Sequence, residues 1–225
     1  MRNFLILSFS YMLAAPATAQ SRAIEFTEFD LDNGLHVILH EDHGTPIVAV
    51  SVMYHVGSKD EDSKRRGFAH FFEHLLFEGS ENIARGEFSK LVESAGGVLN
   101  ANTSGDRTYY YEVLPSNHLE LGLWLESERM LHAKVDQVGV NTQREVVKEE
   151  RRQRYENQPY GSLLIEVLDR AYKEHPYKWP TIGFMEDLNA ASEQDYKDFY
   201  KRFYIPNNAV LVVAGDIDPA QTRTL

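Results

Sequence analysis

The sequence predicts an α+β fold in which strands, several of them joined as hairpins, occur together with helices. Three observations predict it. Short alternating or apolar runs are separated by turn residues, segments of helical periodicity lie between them, and a strongly apolar strand runs from Ala209 to Ala214. An apolar share of 43% and a charged share of 25% are ordinary globular values, and 225 residues suffice for one good-sized domain or two small ones.

The first residues stand apart from that fold. Met1-Arg2-Asn3 is a short basic region, Phe4 to Ala15 is apolar, and Ala17-Thr18-Ala19 has the small-residue pattern of a cleavage site. Residues 1–19 therefore read as a signal peptide, with a mature start at Gln20, rather than as a frayed N-terminal strand. The apolar run is too short to span a bilayer, and no later stretch is long and apolar enough to do so. The mature chain is expected to be exported, to a periplasm or the extracellular space. With no cysteine in the chain, no disulfide supports it, and its stability must come from a core of real size.

Ile24 to Leu31 alternates, Asp32-Asn33-Gly34 turns the chain, and Leu35 to Leu39 runs back, which predicts a hairpin. Pro46 to Val56 is mostly β-branched and apolar, the pattern of a central strand buried on both faces. A charged loop, Asp60 to Arg66, then leads into Phe68-Ala69-His70-Phe71-Phe72-Glu73-His74-Leu75-Leu76-Phe77. On a helix, His70 and His74 lie one turn apart on one face, with Glu73 beside them. Two imidazoles suit a divalent metal, and a nearby carboxylate suits proton transfer from water. The helix is apolar nearly all round, so it should be buried, and three polar side chains buried without partners cost several kcal/mol each. A pair of hydrogen-bonded core histidines is the alternative to a metal site.

Glu87 to Glu93 reads as a short amphipathic helix closed by Gly96-Gly97, and Val98–Thr103 and Arg107 to Leu114 as a second hairpin joined at Ser104-Gly105-Asp106. Ser116 should cap a helix running to about His132, with Leu119, Leu123, Met130 and Leu131 on one side. In the helix Asn141 to Glu156, Val146 and Val147 are the apolar residues, and Glu150 lies four and three positions beyond them. Helical facing therefore favours Glu150 over Glu149 as the inward carboxylate, either as a third metal ligand or salt-bridged to Arg154 one turn on. Pro159-Tyr160-Gly161 breaks the chain before a helix from Leu163 to Tyr172 and a rigid aromatic loop, His175 to Pro180. Ser192 caps a helix through Tyr204, the Ala209–Ala214 strand follows, and Asp218-Pro219 begins another helix. So few residues follow Pro219 that this helix cannot hold itself, and the chain is expected to be the front portion of a longer protein.

The net charge of −11 is spread along the chain, and no basic patch offers a nucleic-acid footprint, so that class of partner is disfavoured.

Taken together, these residues resemble the pitrilysin-type (M16) zinc metallopeptidases, whose H-x-x-E-H motif reverses H-E-x-x-H. The resemblance rests on His70-Phe71-Phe72-Glu73-His74 with its Leu75-Leu76-Phe77-Glu78-Gly79-Ser80 continuation and on Leu99-Asn100-Ala101-Asn102-Thr103-Ser104. It extends to Arg144 to Arg152, the His175 to Gly183 loop and Asn207 to Asp216, and so covers almost the whole mature chain. It implies a mixed, largely antiparallel β-sheet packed against helices, as in mitochondrial processing peptidase-like metallohydrolases, with 20–225 as the N-terminal catalytic domain, cut short at its C-terminal end. It also implies zinc held by His70, His74 and Glu150, with Glu73 as general base for hydrolysis of peptides or unfolded protein segments. Gln143 stands where the family has an acidic residue; it can hydrogen-bond around the site but adds no charge. The family binds peptide as an added strand, which by resemblance makes Val98–Thr103 the docking edge and Asn100 and Ala101 its contacts. Asn100 also reads as an ordinary residue near a turn. A second M16-like half, or a partner chain, is expected to close over the site and contribute an Arg-Tyr pair. Two other functions compete with this one. A non-catalytic structural or substrate-holding subunit usually loses H-x-x-E-H residues, and S-ribosylhomocysteine lyase needs a cysteine ligand that is absent here.

Overall fold

Asn33 and Gly34 turn the chain between β1 (Thr27–Asp30) and β2 (His36–Glu41). The Gly34 N–H reaches the Leu31 carbonyl at 2.8 Å, and the Asn33 side chain accepts from the Leu35 N–H at 3.0 Å. The computed structural model describes residues 23–225, so the signal-peptide reading of 1–19 lies outside the described residues. Four more strands complete one sheet: β3 (Ile47–Tyr54), β4 (Val98–Thr103), β5 (Thr108–Pro115) and β6 (Ala209–Gly215). The spatial order is β1-β2-β6-β3-β5-β4. Every pairing is antiparallel except β2 with β6, which is parallel, and that one pair makes the sheet mixed. The apolar run of β6 suits its place between β2 and β3.

The helices are α1 (Phe68–Leu75), α2 (Phe88–Ser94), α3 (Leu119–Leu131), α4 (Gln137–Arg151), α5 (Leu163–Ala171), α6 (Met185–Ala190), α7 (Glu193–Phe203) and α8 (Pro219–Thr222). Ser192 and Asp195 form a reciprocal capping box at the start of α7, and Asp218 caps α8, both as expected. Phe68, Phe71 and Phe72 of α1 pack against Tyr196, Phe199, Tyr200 and Tyr204, while Tyr54 and Tyr110 close the cluster from the sheet. Helix α5 keeps Leu163, Leu164 and Val167 exposed.

Three expectations need correction. β3 is central, but only one of its faces is wholly buried: Val48, Val50, Val52 and Tyr54 point into the helix layer, whereas Ile47 and Met53 on the other face stay exposed. Helices lie against one side there and the second side is left partly open. Ser116 does not cap α3. It sits in a short 3-10 turn before that helix and donates to Asp216 at 2.7 Å, tying the end of β5 to the end of β6. Leu131 is exposed, and the inward side of α3 instead carries Glu126 and Arg129 beside Leu125 and Met130.

Arg129 explains that exchange. Its guanidinium is fully enclosed among the rings of Phe77, Phe88 and Tyr110, at 4.6, 4.4 and 4.3 Å from their centroids. It donates to Glu112 on β5 at 2.9 Å, to Glu126 at 3.1 Å and to the Leu76 carbonyl at 3.2 Å. Strand β5, helix α3 and the end of α1 meet on one cation. Burial pushes the Glu112 carboxyl well up, with the Glu126 charge adding to the rise; Arg129 counters both.

The charged loop before α1 also turns a residue inward. Glu61 is buried and accepts from the Gly67 N–H at 2.8 Å and the Ala69 N–H at 2.9 Å, so a side chain eight residues back satisfies the first turn of α1. Gly67 begins that helix with φ +97°, and Gly183, at φ +69°, lies against it so closely that a Cβ on Gly183 would sit 2.2 Å from the Arg66 carbonyl oxygen. The loop from His175 to Gly183 thereby fixes where α1 starts.

Arg129→Met removes the charge and leaves Glu112 and Glu126 buried without their counter-ion. It is expected to lower stability by about 3–5 kcal/mol in equilibrium urea unfolding. Burial raises the Glu61 carboxyl from 4.5 to about 8, outweighing its two backbone N–H bonds. Between those values the folded chain keeps a proton that the unfolded chain has released, so Glu61 makes stability fall as pH rises through that window. Glu61→Gln is expected to flatten that part of the pH–stability curve.

Candidate metal centre

Within α1, Glu73 and His74 alone escape full burial. His70 and His74 lie one turn apart, their rings inclined edge-on at 69° with centroids 4.9 Å from each other. Helix α4 supplies the third group. Its half-buried to buried stripe runs Val140, Gln143, Val147, Glu150, the three-and-four spacing of one helical face. Val147 points inward as expected, but Val146 is exposed, so the facing of Glu150 follows from Val147 alone. Glu149 faces solvent, where it accepts from Arg152 at 2.9 Å and Gln153 at 3.1 Å.

One carboxylate oxygen, Glu150 Oε2, lies 3.4 Å from His70 Nε2 and 3.2 Å from His74 Nε2. Despite those distances it has no hydrogen bond of acceptable geometry, and His70 Nδ1 is likewise buried without a partner. An orphaned buried polar atom is costly, and the orphaned Glu150 Oε2 is the one on which both imidazole Nε2 atoms converge. A tetrahedron with arms of about 2.0–2.1 Å has edges of roughly 3.3–3.4 Å, so the spacing fits ligands around a small divalent ion better than it fits hydrogen bonds. Among the described residues this is the one group of three or more His, Cys, Asp and Glu side chains whose donor atoms all approach one another within 4.8 Å. The other Glu150 oxygen lies 3.0 Å from Arg154 Nη1, so the ion pair weighed as an alternative is present alongside the cluster. Burial raises the Glu150 carboxyl, but the two imidazoles outweigh it and hold the group well below the usual carboxylate range.

Glu73 does not join the three donors. Its Oε2 accepts from the Thr103 hydroxyl at 2.6 Å, across from the end of β4. Gln143 reaches no ligand among the described residues; its amide donates to Glu78 at 2.5 Å, and Glu78 also pairs with Arg85. Asn100 and Ala101 lie on β4, the edge strand. Asn100 is exposed, and its side-chain oxygen accepts from the Ala101 N–H at 2.8 Å. Sequence reasoning attached no role to Thr103 or Arg129. Thr103 had one signal, since it shares the inward face of β4 with Leu99 and Ala101.

Residues 36–183 match the family model described as Insulinase (Peptidase family M16), and 190–225 match the M16 inactive-domain model. The chain belongs to the M16 peptidase family. It is 38% identical over 207 residues to the zinc protease PqqE of Helicobacter pylori, covering 92% of this chain and 47% of that protein. A crystal structure of a protease from Helicobacter pylori superposes with a TM-score of 0.86 at 37% identity, covering 89% of this chain and 48% of the other. The periplasmic protease PqqL from Escherichia coli gives 0.80 at 26%, covering 88% and 23%. The chain thus spans about half the length of the curated relatives it matches. No helix among the described residues is long and apolar enough to cross a membrane.

Glu150→Ala is expected to weaken zinc binding at least about tenfold in a competition titration and to abolish the rise in thermal midpoint that zinc gives the unaltered chain. Glu149→Ala is expected to do neither.

Proposed function

We propose that this chain is the zinc-bearing half of an exported metalloendopeptidase that hydrolyses peptides or unfolded protein segments. The convergence of His70, His74 and the orphaned Glu150 oxygen on one point carries the reading. Those three residues hold the metal, and membership of a family whose relatives are named zinc proteases supports zinc as the ion. A bound zinc ion supplies a Lewis acid, polarising a scissile carbonyl and making water more acidic.

The chain's own residues do the rest. Glu73 takes a proton from the attacking water while the new C–O bond forms, then delivers it to the amine as the C–N bond breaks. Its Oε1 is free for both transfers because Oε2 is held by Thr103. Gln143 acts at one remove: through Glu78 it ties α4 to the segment after α1, and so holds Glu150 near the histidines. The open edge of β4 takes the peptide as an added strand, with Asn100 and Ala101 in contact with it.

A second M16-like half, or a partner chain, closes over this face. The coverage of about half of the two Helicobacter pylori proteins supports that requirement. Export follows from residues 1–19 read as a signal peptide, and the periplasmic description of the PqqL neighbour supports it. The alternative, a non-catalytic structural or substrate-holding subunit, has no observation in its favour, because His70, Glu73 and His74 of the H-x-x-E-H motif are all kept and Glu150 stands beside the two histidines.

Glu73→Gln is expected to keep its zinc and to lower the rate of peptide hydrolysis by about 10²–10⁴-fold. Zinc content and initial rates, measured with the second half present, check both parts. Wild-type turnover in that variant sinks the role given to Glu73.

A further inference from the structure

We propose that Thr103 is a positioning residue for Glu73 and that it couples the peptide-docking edge of the sheet to that carboxylate. The inference rests on the reading of Glu73 as general base.

Two features of β4 meet at Thr103. The first is its side chain. Val98, Asn100 and Asn102 are exposed, while Leu99, Ala101 and Thr103 are half-buried toward the helices. Of these three inward residues, Thr103 alone is polar, and its hydroxyl donates to Glu73 Oε2 at 2.6 Å. That is the length of a charge-assisted O–H···O⁻ bond, and a β-branched side chain has few rotamers with which to leave it.

The second feature is its backbone. The Ser104 N–H bonds the Arg107 carbonyl at 2.9 Å, and β4 pairs with β5 in the register Asn102↔Tyr109 and Asn100↔Tyr111. An antiparallel ladder alternates, so Asn100 and Asn102 direct their backbone groups to β5. Leu99, Ala101 and Thr103 turn theirs to the open edge. The Asn100 side chain on the Ala101 N–H agrees, since that N–H must point away from β5 to be met there.

A peptide added along this edge therefore bonds the backbone of the residue whose hydroxyl holds the base. Docking fixes Thr103, Thr103 fixes one oxygen of Glu73, and the other oxygen is left aimed and unspent for proton transfer. A purely structural hydroxyl would support folding without acting on turnover.

The test compares Thr103→Val, Thr103→Ala and Thr103→Ser with Glu73→Gln in the protein with its second half present. Zinc content, thermal midpoint, and kcat and KM on a fluorogenic oligopeptide are measured. Thr103→Val and Thr103→Ala should hold zinc, melt within about 2 °C of the unaltered protein, and lose about 10–100-fold in kcat. Their KM should stay within about threefold, and Thr103→Ser, which restores the hydroxyl, should recover kcat to within about threefold. Unchanged kcat in the two variants lacking the hydroxyl overturns the inference. So does a loss that follows zinc content or melting temperature, or one that serine does not rescue. If Glu73→Gln is fully active, the reading of Glu73 fails and takes this inference with it. If Glu73→Gln is inactive while Thr103→Val turns over normally, the inference fails alone.

Discussion

Helix α1 is enclosed by protein along almost its whole surface, and that enclosure shapes everything around it. Its aromatic residues lie between α7 and the sheet, so no side of the helix is given over to solvent. A buried helix still has polar ends, and each is answered from a distant part of the chain. Glu61 takes N–H groups at the start, while Tyr110 donates to the Phe72 carbonyl at 2.8 Å and Arg129 to that of Leu76 near the end. With both ends and the apolar faces fixed, His70 and His74 have little freedom, and Glu150 meets them at a defined place. The donor set is preorganised because the helix carrying two of its members has nowhere to go.

Much of this was legible in the sequence because it is periodic. The spacing of His70 and His74, the turn at Asn33-Gly34, the helix cap at Ser192 and the facing of Glu150 all follow from repeats of 3.6 or 2, or from turn and cap chemistry. Val147 shares the inward stripe with Glu150 and Val146 does not, since an apolar residue beside the stripe need not belong to it. What was illegible depends on contacts between elements far apart in the chain. Nothing in Leu125 to Leu131 distinguishes an arginine buried among three aromatic rings from one on a wet face. The parallel pairing of β6 with β2, the inward turn of Glu61 and the Thr103–Glu73 bond are of the same kind. They join residues whose neighbourhood only the folded chain creates.

The division of labour between the two site helices is also physical. α1 is rigid because it is buried. α4 is an otherwise charged helix, held at Asp136, whose side chain caps the Gly139 N–H at 2.8 Å, and at Arg144, which donates to the Leu188 carbonyl at 2.9 Å. Gln143 adds a third tie through Glu78. α4 is packed as well, through the fully buried Val140 and Val147, and these three polar ties add to that packing in placing Glu150 beside the histidines.

The side chain of Asn100 has a further consequence. A sheet edge left unpaired to receive a peptide is equally open to the same edge of another copy, the usual first step toward intermolecular sheet growth. Asn100 lies across the Ala101 N–H, so the middle of the strand presents a satisfied donor rather than a free one. Flanking it, Asn102 offers an amide and Val98 the one exposed apolar contact. An incoming chain must displace that side chain before it can zip along the strand. The edge is guarded by a small, reversible barrier that a well-fitted guest can overcome and casual self-association meets first.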